Sequence, residues 1–136
     1  MTKRKGQKPV PRVQYKKYLD TAGHFYKAAK DSIELEYWTA AGVLIVHSAI
    51  AFTDTLCIKL GGVRSTADDH DDAINLLEKI IPDSEDKTKA LNQLKRIIEE
   101  KTRVSYLGEL YTAKKAGEMW KRLERFRKWA VDVLER

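Results

Sequence analysis

The stretch that decides the fold is "YWTAAGVLIVHSAIAFTDTLCIKLGG", residues 37–62. From Tyr37 to Thr53 it holds no charged residue if His47 is neutral. Its apolar residues fall nearly all round a 3.6-residue period instead of along one stripe, which is the pattern of a helix that others surround. A membrane span has a similar signature. Thr39, His47, Ser48 and Thr53 interrupt the run, however, and leave it short of the roughly 18–20 apolar residues that a span requires. The spacing predicts a buried central helix over 37–60 with no membrane partner, and Gly61 and Gly62 supply the positive φ that ends it.

The flanking segments read as helices that cover this one. On the N-terminal side Leu19, Ala22, Tyr26, Ala29 and Ile33 recur at alternating steps of three and four, which predicts a helix over 14–36. Its other face carries Lys16, Lys17, Asp20, Lys27, Lys30 and Asp31 and is solvated. Beyond the glycines, Ser65 or Thr66 is a fitting N-cap, with Asp68 or Asp69 three residues later as in a capping box. The third helix turns Ala73, Leu76, Leu77, Ile80 and Ile81 inward and stops at Pro82. A fourth, over 84–104, buries Leu91, Leu94, Ile97 and Ile98, and Gly108 breaks it. Thr112 caps the last, whose inward stripe is Ala116, Trp120, Leu123, Phe126 and Ala130, widened by Met119, Trp129, Val133 and Leu134. Lys114, Lys121, Arg125 and Lys128 share its opposite side with Glu118. Five helices joined by short loops describe an all-α, antiparallel four- to five-helix bundle. At 136 residues one core of this kind is sustainable and two are not.

The net charge of +6 suggests a nucleic-acid binder until it is located. Residues 1–17 hold seven cations and no acid, and the rest of the chain has 19 basic against 20 acidic groups. The folded body is therefore close to neutral, and residues 1–13 read as a disordered basic tail before a bundle domain over 14–136. Pro9 and Pro11 argue against helix in that tail. Cys57 is alone, so no intramolecular disulfide forms. No apolar segment of a signal peptide follows the basic start, and a cytoplasmic location is the expectation.

The run "DDHDD", residues 68–72, has carboxylates around His70, but acids in a helix's first turn are stabilised by the exposed amides there, and adjacent side chains point apart. No second His or Cys stands at ligand spacing, so no metal site is expected. His47 and Asp54 lie seven residues apart on one face of the central helix, about 10 Å along its axis. Asp54 needs a partner in a core, which a cation of the fourth helix could supply, and His47 fits a hydrogen-bonded core or interface position. There is no P-loop, dinucleotide fingerprint or nucleophile motif, so no cofactor is expected. Trp38, Trp120, Phe126 and Trp129 stand at helical spacing and read as core or interface residues.

Four separated stretches, "VHSAIAFTDTLCIKLGG", "STADDHDDAINLL", "KTRVSYLGELYT" and "AKKAGEMWKRLERFRKWA", together resemble the HEPN domain, named for higher eukaryote and prokaryote nucleotide-binding proteins. The resemblance covers residues 15–135. It implies a bundle of four or five helices, a homodimer, and a gene often found beside a nucleotidyltransferase-like partner in toxin–antitoxin arrangements. Many members are metal-independent ribonucleases that use an Arg, a polar residue and a His five positions after the Arg. At those positions this chain has Lys101, Thr102 and Tyr106. A phenol with an ordinary pKa near 10 is a poor substitute for imidazole near 6.5, and Lys lacks the bidentate fork of Arg, so loss of activity is the simpler expectation.

Two readings follow from the resemblance. In the first, the protein is a dimeric binding or interaction module, catalytically inactive, contacting a nucleotide, RNA or a protein partner through Lys101, Arg103, Tyr106, Asp54 and His47. In the alternative it is a metal-independent endoribonuclease of the toxin–antitoxin type. No catalytic residue is assigned from sequence. The structural explanation of residues 101–108 is that Lys101 and Arg103 complement the negative end of the fourth helix, Tyr106 packs its ring, and Gly108 turns the chain.

Overall fold

The computed structural model describes residues 6–67, 69–107 and 110–136, with the side chains of residues 105–107 outside that set. In chain order it has a strand β1 (Gln7–Pro9), a 3₁₀ turn (Arg12–Gln14), α1 (Tyr15–Glu34), α2 (Trp38–Gly61), a strand β2 (Val63–Ser65), α3 (His70–Ile80), α4 (Glu85–Leu107) and α5 (Ala113–Leu134). The chain is all-α, as its periodicity predicts. The expected break at Gly108 lies outside the described residues.

α2 packs against all four other helices. Ile45, Ala49, Phe52 and Leu56 on it are fully buried, and they share one core cluster with Leu77 of α3, Leu94 and Ile97 of α4, and Leu123 and Phe126 of α5. Each large side chain buried in this way contributes about 1.5–3 kcal/mol. The polar residues that interrupt α2 are satisfied from within. Thr53 and Thr55 donate to the carbonyls of Ala49 and Ala51 at 2.9 and 2.7 Å, and Ser48 donates across to Ala22 O of α1 at 3.0 Å. By length and composition α2 does pass for a membrane span, contrary to the shortfall inferred from its sequence, because the helix continues past Thr53 through Leu56, Cys57 and Ile58 with Asp54 the one charge before Lys59. Its apolarity is that of a core helix, since most of its apolar stretch is buried inside the bundle.

The N-terminal segment departs from the expected disordered tail. Gln7–Pro9 pair antiparallel with Val63–Ser65, Val10 N–H donates to Gly62 O at 2.9 Å, and Val10 is buried. The reason lies at Gly62, whose φ of 66° caps α2 and sends the chain back extended with an unpaired edge. Pro9 and Pro11 rule out a helix but are compatible with an edge strand. Residues 1–5 lie outside the described set.

This strand also moves the cap of α3. Ser65 lies in β2, and Asp69 is the N-cap, accepting from Asp71 N–H at 2.9 Å, with Asp71 and Asp72 in the first turn. Ser84 and Thr112 serve α4 and α5, accepting from the N–H groups of Lys87 and Lys115 at 3.0 and 3.2 Å. Lys87 itself is 4% exposed. Its Nζ donates to Glu78 O, Ile81 O and Asp83 Oδ1, each at 2.8 Å, so an α4 cation closes the carbonyl end of α3.

Candidate functional site

Thr39, Val43, Val46, His47 and Ile50 of α2 all face one cleft of about 290 Å³. Their steps of four, three, one and three put them on one stripe of the helix. Lys101 and Val104, three residues apart on α4, form the opposite wall, and His70 enters from the first turn of α3. Tyr111, ahead of α5, completes the lining.

The Tyr111 wall depends on a missing side chain. A Cβ on Gly42 would lie 2.5 Å from a Tyr111 ring carbon, so the ring rests on bare α2 backbone and is only 7% exposed. Burial, and then the charge of Glu100, push its phenol above the ordinary value, which keeps the hydroxyl protonated as a donor. His70 moves the other way. Burial and the Lys101 charge lower its pKa, His47 adds to this, and Asp69 and Asp71 oppose it. His47 is exposed, with its ring 5.3 Å from that of Phe25 of α1. Of the core or interface positions expected for it, the core is not the one it occupies, because the α2 stripe that carries it faces the cleft. Lys101 makes no ion pair or hydrogen bond among the described residues.

Of the five residues singled out in the sequence, the cleft gathers two, Lys101 and His47. Arg103 stands two positions from Lys101, about 200° round the helix, and its Nη1 is 3.7 Å from Glu100 Oε1 outside the lining. The side chain of Tyr106 lies outside the described residues. Asp54 continues the α2 stripe beyond Ile50 but not the cleft. Its charged neighbour is Arg64 of β2, where a cation of the fourth helix was expected, because the strand is laid across that end of α2. Burial pushes the Asp54 carboxyl up to about 6 against the opposing Arg64 charge. Arg64 Nη1 donates to the Tyr18 hydroxyl at 3.1 Å, and its Nε is buried without a protein partner. Burial and then Asp54 push the nearby Cys57 thiol up to about 12, so it is not a nucleophile at neutral pH.

Sequence reasoning missed His70 and Tyr111. The helix start accounts for the acids beside His70 but not for the imidazole itself, because adjacent helical side chains point apart. That rule was the available signal. Among the described residues no group of three or more His, Cys, Asp or Glu side chains could hold a metal ion. What the cleft offers is one ammonium and two imidazoles around an apolar floor of Val43, Val46, Ile50 and Val104. Such a set matches an anion attached to a flat or apolar group.

The family model for the HEPN domain matches residues 15–134 of the chain. No curated protein and no solved structure matches it.

Proposed function

The chain belongs to the HEPN domain family, and from that premise we propose that it is a dimeric, catalytically inactive binding module whose α2–α4 cleft takes the phosphate and base of a nucleotide or of an RNA end. The observation that carries this reading is the meeting of Lys101, His47 and His70 over an apolar floor in about 290 Å³. That volume is at the low end for small-molecule sites and suits one nucleotide. Inactivity is supported by the departures at Lys101, Thr102 and Tyr106, and by the Thr102 hydroxyl, which donates back to Ile98 O at 3.1 Å. Dimerisation is supported by exposed apolar side chains: Val43 in the cleft wall is 43% exposed, and Tyr37 and Leu110, within two positions in sequence of the cleft residues Thr39 and Tyr111, are 61% and 75% exposed. A nucleotidyltransferase-like protein is the alternative occupant of that apolar margin.

The test is calorimetric titration of the full chain with AMP and with a 5′-phosphorylated trinucleotide. Lys101→Ala removes a charge-assisted contact and should weaken binding about tenfold. Unchanged affinity in both Lys101→Ala and His70→Ala would remove the site. Sedimentation should show a dimer at micromolar concentration that Leu110→Glu dissociates.

One observation favours the second reading, a metal-independent endoribonuclease: two imidazoles share the cleft with an ammonium. There Lys101 steadies the scissile phosphate and the histidines carry protons. Cleavage of single-stranded RNA in EDTA, lost in His47→Ala and in His70→Ala, would establish it; absence of cleavage by protein that binds RNA favours the first.

A further inference from the structure

Two hollows flank α5, away from the cleft and sharing no lining residue with it. One, of about 550 Å³, lies between α5 and Tyr26 of α1, and the other, of about 460 Å³, between α5 and the first turns of α4. Arg125, Lys128 and Asp132 line both and form the ridge between them. Lys121, Arg125 and Lys128 follow one another at steps of four and three, so three cations stand in a row about 10 Å long. The two linings together hold six cations and three acids, in a body that is net acidic from residue 18 onward. Lys121, Arg125, Lys128 and Arg136 make no ion pair or hydrogen bond among the described residues. Arg127 is held in place, 4.3 Å above the Tyr26 ring, which in turn stacks on Trp120 at 5.0 Å.

We propose that this outer face of α5 is a second binding surface, independent of the cleft, for the sugar–phosphate backbone of a single-stranded nucleic acid. A row of unpaired cations matches successive phosphates, and its positive field draws a polyanion in. A protein partner would need apolar anchors at the centre of its footprint. The large apolar residues exposed among those described are Val13, Leu35, Tyr37, Val43 and Leu110, and none lines either hollow. A single strand rather than a duplex fits, because unpaired bases can enter the hollows of about 550 and 460 Å³ beside the ridge. A duplex keeps its bases stacked inside and has nothing to place there.

The test uses the full chain and a fluorescein-labelled 15-nucleotide oligouridylate, followed by anisotropy from 50 to 300 mM KCl. Each phosphate contact on a single strand adds roughly 0.7 to the slope of log affinity against log salt. Triple substitution of Lys121, Arg125 and Lys128 by Gln should lower affinity at least tenfold at 50 mM and flatten the slope by about 2. The same triple variant should leave AMP binding in the cleft within twofold, so failure of the cleft and failure of this surface are separable. The proposal is overturned if the wild-type chain does not bind, if the triple variant binds like wild type, if a hairpin duplex competes as well as the single strand, or if poly-glutamate of equal length does. The last result would assign the face to an acidic protein instead.

Discussion

The cleft below Lys101 and the ridge on α5 are both basic, and the chain builds them in opposite ways. Four separate segments converge on the cleft, α2, α3, α4 and the approach to α5, and its shape depends on Tyr111 lying on Gly42. The ridge is the outward side of one amphipathic helix whose inward side, with Leu123, Phe126 and Ala130, is already core. Positions in the cleft are therefore coupled to the fold, and those on the ridge are free of it. Pocket geometry is available only where packing is shared, whereas a field of charge needs nothing beyond exposure.

The largest effect expected is at Lys87, the buried cation that fastens α3, and with it His70, to α4. Lys87→Ala leaves Glu78 O and Ile81 O without their donor and should cost about 3 kcal/mol in urea unfolding. Lys87→Met keeps the stem packed and separates loss of the bonds from loss of volume. If Lys87→Ala unfolds like wild type, α3 is held by its apolar face alone, and the cleft is only loosely coupled to the fold.

Next comes Gly42→Ala. A methyl group 2.5 Å from the Tyr111 ring forces the ring away, at a cost of about 2 kcal/mol for overpacking. Nucleotide binding in the cleft should be lost while oligouridylate binding on the ridge stays as it was. Parallel loss of both would show that the two surfaces are not independent.

Asp54 gives an effect of opposite sign. Its folded pKa of about 6 lies above the ordinary carboxyl value of 3.8, so the folded state holds this proton more tightly than the unfolded one. The resulting stability is fully present below pH 3.8 and is lost as the pH rises through 6. Asp54→Asn should remove that dependence and raise stability above pH 6 by on the order of 1–2 kcal/mol, partly offset by the lost attraction to Arg64. Stability curves from pH 3.5 to 7.5 that coincide for the two proteins would show that Asp54 is better solvated than its surroundings imply.

The same division explains what could be read from the sequence. α1, α2 and α5 were legible because apolar spacing reports local geometry, and the Thr112 cap because a hydroxyl before an apolar run has one common role. The β1–β2 pair was not, since it joins residues nearly sixty positions apart and its only local sign, two prolines, speaks against helix without speaking for strand. Lys101 and His47 were found through the resemblance and through the rarity of a His in an apolar run. Tyr111 could not be found, because its place depends on a ring meeting a glycine on another element. The ridge cations were visible as a helical face from the start; what the structure adds is the pair of hollows beside them.

The smallest expected effect is on the ridge itself. Replacing Lys121, Arg125 and Lys128 together by Gln removes three exposed charges with no ion-pair partner among the described residues, and Gln is nearly as good a helix former as Lys or Arg. Unfolding stability should change by less than about 0.5 kcal/mol, with a slight gain where like charges three and four residues apart no longer repel. A loss above about 1 kcal/mol would mean that the Arg125 or Lys128 stem packs against Trp129 and helps to close the core. In that case the ridge is part of the fold, and the contrast with the cleft fails at the point where it was drawn.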